Sequence, residues 1–225
     1  MNRSLFCSLA IFASFLTWSA TAPSSFATME GRSTQFPTDP REAYELDESN
    51  VGTWAEGPTR LIILTEEKEI WDGLETDEQR RRFITWFWAR RDNNPRDTSH
   101  PIKVAFYLGV AEANKRFSEI PRGWKTDRGR VWLIFGKPTL IRENFNGDQL
   151  VWNYFAPGME GILGFDSAAG EFNIYFSRVP RRTRAYRIDG GLAPGAWPAY
   201  VQRAIQFVRE TMVVNRTLEF SPSGN

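Results

Sequence analysis

Apolar residues recur every three to four positions in the first half of the chain and every second position in much of the second half. That pattern predicts helices followed by strands. Arg60-Leu61-Ile62-Ile63-Leu64 is a short apolar run, either a strand or a lead-in to a helix. Thr65, Glu66 and Glu67 would start that helix, since acids suit the positive end of its dipole. Thr76 and Gln79 stand at capping-box spacing. Beyond them Phe83, Ile84, Phe87, Trp88 and Arg91 share one helical face, while Arg80, Arg81 and Arg82 read as a solvated one. Asn93-Asn94-Pro95 would stop this helix. His100-Pro101 would begin the next, with Ile102, Phe106, Val110, Ala113 and Phe117 as its buried stripe, and Pro121-Arg122-Gly123 would end it.

After Gly123 the period changes. Val131-Trp132-Leu133-Ile134-Phe135 is apolar at every position and reads as a central strand covered on both faces. Gly136-Lys137-Pro138 turns the chain into a second strand over 140–145, and Asn146-Gly147 is a strong hairpin signal. Residues 149–155 alternate, with Leu150, Trp152 and Tyr154 on one side. Pro157-Gly158 marks a turn, 161–166 a glycine-weakened strand, and 172–176 a further alternating strand. Residues 194–212 can hold a last helix with Trp197, Val201, Ile205 and Val208 on one face, and 213–220 would add an edge strand. The expected fold is α+β: N-terminal helices packed on an antiparallel β-meander, with a C-terminal helix, over residues 58–220.

The N-terminal part changes the expected location. Arg3 precedes an apolar run from Leu5 to Trp18, too short to span a bilayer comfortably, and small residues follow at Ala20-Thr21-Ala22 and Ser25-Phe26-Ala27. Residues 1–27 read as a signal peptide, cut before Thr28, which places the mature chain in the periplasm or outside the cell with no transmembrane helix. Residues 28–57, rich in Thr, Ser, Pro, Gly and acids, read as an extended linker or arm. Cys7 lies within the apolar run, so a mature chain has no thiol for a disulfide, a thiolate metal site or a nucleophile. With a single histidine, His100, a zinc site would have to rely on carboxylates, and no metal or cofactor is expected. A formal net charge of +1 argues against nucleic acid as a partner.

The segment Gly123-Trp124-Lys125-Thr126-Asp127-Arg128-Gly129-Arg130 has a physical reading at each position. Gly123 lets the chain leave a helix sharply, and Trp124 can close the helix–sheet seam. Thr126 and Asp127 can bond backbone N–H groups in a local turn, and Asp127 can hold Arg128 or Arg91 in a forked pair. Gly129 fits a bulge feeding the central strand. The segment also resembles the signature of the GWxTD-domain family of bacterial exported proteins. Four further blocks match in order: Phe83 to Asp92, Ala111 to Phe117, Val131 to Pro138, and Val151 to Tyr154. The resemblance covers roughly residues 60–180 and departs after Asp92, where Asn93-Asn94-Pro95-Arg96-Asp97 replaces a "P-T-P-G-T" type loop. It implies the fold and export, and no established biochemical activity.

Candidate chemistry is thin. Asp92 and Asp127 form a conceivable acid–base pair, but each adjoins an arginine, Arg91 or Arg128, which favours salt bridges and lowered pKa values. His100 reads as an exposed cap, and no G-x-S-x-G, H-E-x-x-H or phosphate loop is present. Eight tryptophans beyond the signal supply aromatic surface, although Trp86, Trp132 and Trp152 read as core. Arg178, Arg181, Arg182, Arg184 and Arg187 form a basic stretch, read as a solvated loop that can also meet anionic lipid or glycan. The function expected is a non-catalytic extracytoplasmic binding or scaffold domain of a bacterial envelope. Its partner would be another envelope protein or a glycan, met through Trp124, Lys125, Thr126, Asp127, Arg128, Arg91 and Asp92. The alternative is a hydrolase of envelope glycans or peptides acting through Asp92 or Asp127.

Overall fold

The computed structural model describes residues 39–95, 100–155, 171–182, 184–190 and 196–223. Helices α1 (Pro40–Ser49), α2 (Thr65–Asp72), α3 (Asp77–Ala89), α4 (Pro101–Arg116) and α5 (Asp127–Phe135) come first. Strands β1 (Leu140–Glu143), β2 (Gln149–Phe155), β3 (Glu171–Arg178) and β4 (Tyr186–Ile188) follow, then helix α6 (Ala199–Thr211). The sheet is antiparallel in the order β1-β2-β3-β4, and the fold is α+β.

Helix α3 starts as its sequence predicts. Thr76 Oγ1 accepts from Gln79 N–H while the Gln79 side chain accepts from Thr76 N–H, so both orphan amides are satisfied. Its apolar face, Phe83, Ile84, Phe87 and Trp88, is buried. The hairpin is also as expected. Asn146-Gly147 lies in the β1–β2 turn, with Gly147 at φ 67°, a conformation that costs glycine little. Leu150, Trp152 and Tyr154 of β2 and Phe172, Ile174 and Phe176 of β3 fill one face of the sheet. Trp152 packs against Phe117 and Trp132, and Phe135 against Tyr154 and Phe172, which sets this face on α4 and α5.

Three expectations are corrected. Residues 131–135 are the end of helix α5, not a central strand. Thr126 caps α5, and its second half is apolar all round because Val131 to Phe135 are all buried; periodicity alone cannot separate a buried helix from a buried strand. Residues 40–57 are not an extended arm. Asp39 caps α1, and the 3₁₀ turn Val51–Glu56 buries Trp54 among Trp71, Phe83 and Phe87. The segment 213–220 is no edge strand either. Val214 and Asn215 donate their N–H groups to Arg90 O, at 3.0 and 2.9 Å, and Phe220 packs on Phe83 and Trp86. Its donors cover the C-terminal carbonyls of α3, where a helix needs partners. The strand expected at 161–166 lies outside the described residues. No helix among the described residues is long and apolar enough to cross a membrane.

Candidate functional site

Helix α4 ends at Arg116 with Phe117 as its C-cap, and the chain returns through a 3₁₀ turn at Gly123–Lys125 into α5. This return brings backbone onto backbone. A Cβ at Gly123 would lie 2.3 Å from Ala113 O, and one at Gly129 would lie 2.0 Å from Gly123 O. Glycine is required at both places by close approach, and Gly129 is a helical residue of α5 rather than a bulge. Trp124 is buried under this turn, its N–H donating to Asn114 Oδ1 at 3.2 Å. Thr126 Oγ1 donates to Gly123 O at 2.7 Å and accepts from Gly129 N–H at 2.9 Å, locking the turn and capping α5 with one hydroxyl.

Asp127 is the first residue of α5, where a carboxylate suits the helix dipole. Its partners differ from those expected. Oδ2 accepts from Ile188 N–H on β4 at 3.1 Å, Oδ1 accepts from Trp197 Nε1 at 3.4 Å, and Arg130 is 4.0 Å away. Asp127 therefore closes an amide of the outer strand β4 and ties it to the segment leading into α6. Arg128 pairs with Glu119 at 2.8 Å, donates to Arg184 O at 2.7 Å and stacks on Phe117 and Tyr186. Lys125, half-buried, faces Trp124; burial first, then Arg122, Arg60 and Arg130, draws its pKa below the ordinary lysine value.

Arg91 does not meet Asp127. It is buried under α2, where Nη2 donates to Glu67 Oε2 at 2.7 Å and to Ile62 O, and Nη1 to Glu67 Oε1 and Phe87 O. Its guanidinium lies 3.6 Å above the Phe87 ring. Arg90 adds a bond of 2.8 Å to Glu67, whose Oε2 also accepts from Leu64 N–H. Desolvation lowers the Arg91 pKa, and Glu67 opposes that shift. Glu67, with no exposed surface, was not singled out in the sequence, where it passes for one of two acids in a helix's first turn. Asp92 is likewise buried, but it accepts from Asn94 N–H at 2.9 Å and lies 3.2 Å from His100 Nδ1, with no arginine among these partners. His100 precedes α4 at φ 40° and makes no side-chain cap bond, so it is Asp92's partner rather than a cap.

The candidate residues thus form two separate constellations. Residues 123–128 join α4, α5 and β4; Arg91 and Asp92 join the end of α3 to α2 and α4. The proposed acids, Asp92 and Asp127, share no partner among the described residues. No group of three or more His, Cys, Asp or Glu side chains among the described residues is placed to hold a metal ion. The long-range partners Ile188 and Trp197, 61 and 70 residues from Asp127, leave no spacing signal in the sequence.

These features define an α+β domain whose G-W-x-T-D segment forms the helix–turn–helix joint above a four-stranded sheet. The family model of the GWxTD domain matches residues 50–179, more than half of the chain, and the chain belongs to that family. No curated protein and no solved structure matches it.

Proposed function

We propose that this chain is a non-catalytic binding or scaffold domain working outside the cytoplasm of a bacterium, and that it meets an envelope protein through the β1 edge of its sheet, unpaired among the described residues, rather than through G-W-K-T-D. The observation that carries this reading is strand β1. It lies at the edge of the sheet with every residue exposed, and Leu140 and Ile141 keep about half of their surface in water. Edge strands with exposed aliphatics invite pairing with another chain, in which main-chain bonds supply affinity and alternate side chains supply selectivity. The signature is poorly suited to that task, since Trp124 and Thr126 are buried and the Asp127 carboxylate is engaged. The apolar run at 5–18 supports export.

The test is an affinity capture from an envelope fraction with the wild-type chain and with Ile141→Lys, followed by mass spectrometry. A partner held by the wild type and lost with the charged edge supports the reading. The same set of proteins on both baits overturns it.

A further inference from the structure

The two turns at one end of the sheet are locked together. Arg178 N–H donates to Asp148 O at 2.8 Å, and the Tyr186 hydroxyl lies 3.0 Å from Gly147 O and 3.1 Å from Glu143 Oε1. Phe145, at the tip of the β1–β2 turn, is fully exposed. Beside it the β3–β4 turn carries Arg181, Arg182 and Arg184, all exposed, with Arg178 at its base. Among the described residues Arg181, Arg182 and Arg184 form no ion pair, and Arg178 has only a distant one, 3.9 Å from Glu143. Arg178, Arg181 and Arg182 line an open hollow of about 610 Å³ with Asp148 and Ser177. Four guanidinium groups thus stand with two carboxylates, Asp148 and Glu143, on a chain whose net charge is only +1.

We propose that this end of the sheet docks on an anionic lipid surface, with the arginines on headgroup phosphates and Phe145 at the headgroup level. Charge complementarity favours this occupant, because basic side chains at a negatively charged leaflet attract it additively over a short range. Phe145 selects a bilayer over a soluble anion: a free phosphate gives the ring nothing to bury against, whereas the interface takes an aromatic side chain beside basic groups. Arg181 sits at φ 63°, a conformation that glycine would adopt more cheaply. This surface lies at one end of the sheet and shares only Glu143 with strand β1.

The 225-residue chain is sedimented with phosphatidylcholine vesicles and with vesicles that also contain phosphatidylglycerol, at rising sodium chloride. The readout is the difference between the two vesicle types, because any partitioning of the apolar run at 5–18 is common to both. A preference for the anionic vesicles that fades with salt is expected. Arg181→Gly and Arg182→Ser should each reduce it roughly fivefold. Phe145→Ser should weaken binding without changing the salt dependence. Glycine suits the φ at position 181, so Arg181→Gly should keep or raise the melting temperature, which separates lost docking from lost folding. Equal binding to both vesicle types, or a preference that survives the Arg181→Gly/Arg182→Ser double variant, overturns the proposal. Displacement by inorganic phosphate beyond that caused by sodium chloride at equal ionic strength identifies a small-anion site and overturns it as well.

Discussion

At the scale of single residues, the G-W-x-T-D signature is a set of steric and hydrogen-bonding demands. Gly129 shows this best, because its sign of effect is the reverse of the general rule. In an ordinary helix, replacing glycine by alanine stabilises by roughly 1 kcal/mol. Here the added methyl would lie 2.0 Å from Gly123 O, a backbone atom of a residue whose own Cα is packed against the Ala113 and Phe117 carbonyls. Gly129→Ala should therefore destabilise by about 1–3 kcal/mol, as overpacking does. Gly52→Ala, where nothing lies within 4 Å of the new atom, should leave urea midpoints nearly unchanged. Equal midpoints for the two variants would show that the joint yields more easily than its geometry implies. The sequence exposed the need for glycine at 123 and 129, yet assigned Gly129 to a bulge, because the segment after it was read as a strand. The error is one of context: a glycine's role depends on what approaches it, and Gly123 O approaches Gly129 through a turn whose path no local pattern discloses.

At the scale of elements, legibility followed caps, turn residues and regular spacing. Helix α3 has a capping box, α4 has a proline start and apolar residues at helical spacing, and β2 and β3 alternate cleanly, so the sequence reveals them. Helix α5 has no polar face over 131–135 and was lost to the strand reading. Helix α1 is short and charged and reads as linker, although Tyr44 of α1 and Trp54 of the turn after it pack into the core. What holds the small strand β4 was also invisible, since Asp127 acts across 61 residues. This gives a direct test of whether Asp127 is structural. Asp127→Ala removes the acceptor for Ile188 N–H, which should then exchange with solvent at least tenfold faster, with a stability loss of about 1–2 kcal/mol. Unchanged exchange at Ile188 would sink the pinning role and return Asp127 to the candidate functional groups.

At the scale of the whole molecule, buried and half-buried charges join distant parts of the chain. The Glu67, Arg90 and Arg91 cluster ties α2 to α3, and Arg90 O receives the C-terminal segment through Val214 and Asn215. This tie is paired on both sides and fixed, and its role is to position, since buried ion pairs seldom add much net stability. The tie between α1 and α4 is different, because it titrates. Asp47, half-buried, accepts from the Tyr107 hydroxyl at 2.8 Å, while Lys103 bridges Glu48 and Tyr44 nearby. Burial, and to a lesser degree the charge of Glu48, pushes the Asp47 carboxyl from 3.8 up to about 7 against the opposing hydrogen bond from Tyr107. Between about pH 4 and pH 7 the folded chain holds a proton here that the unfolded chain has released, so stability should fall as pH rises through this window. The contribution is fully present below about pH 4 and gone above about pH 7. Asp47→Asn stays neutral throughout and can still accept from Tyr107. It should therefore match the wild type near pH 4 and exceed it at pH 8 by on the order of 1 kcal/mol, the full shift being discounted for partial exposure. That is about 2–4 °C in Tm for a domain of this size. Parallel Tm–pH curves for the two chains would overturn the assignment of this titration to Asp47, whereas convergence towards acid pH would mark α1 as docked most firmly in acid.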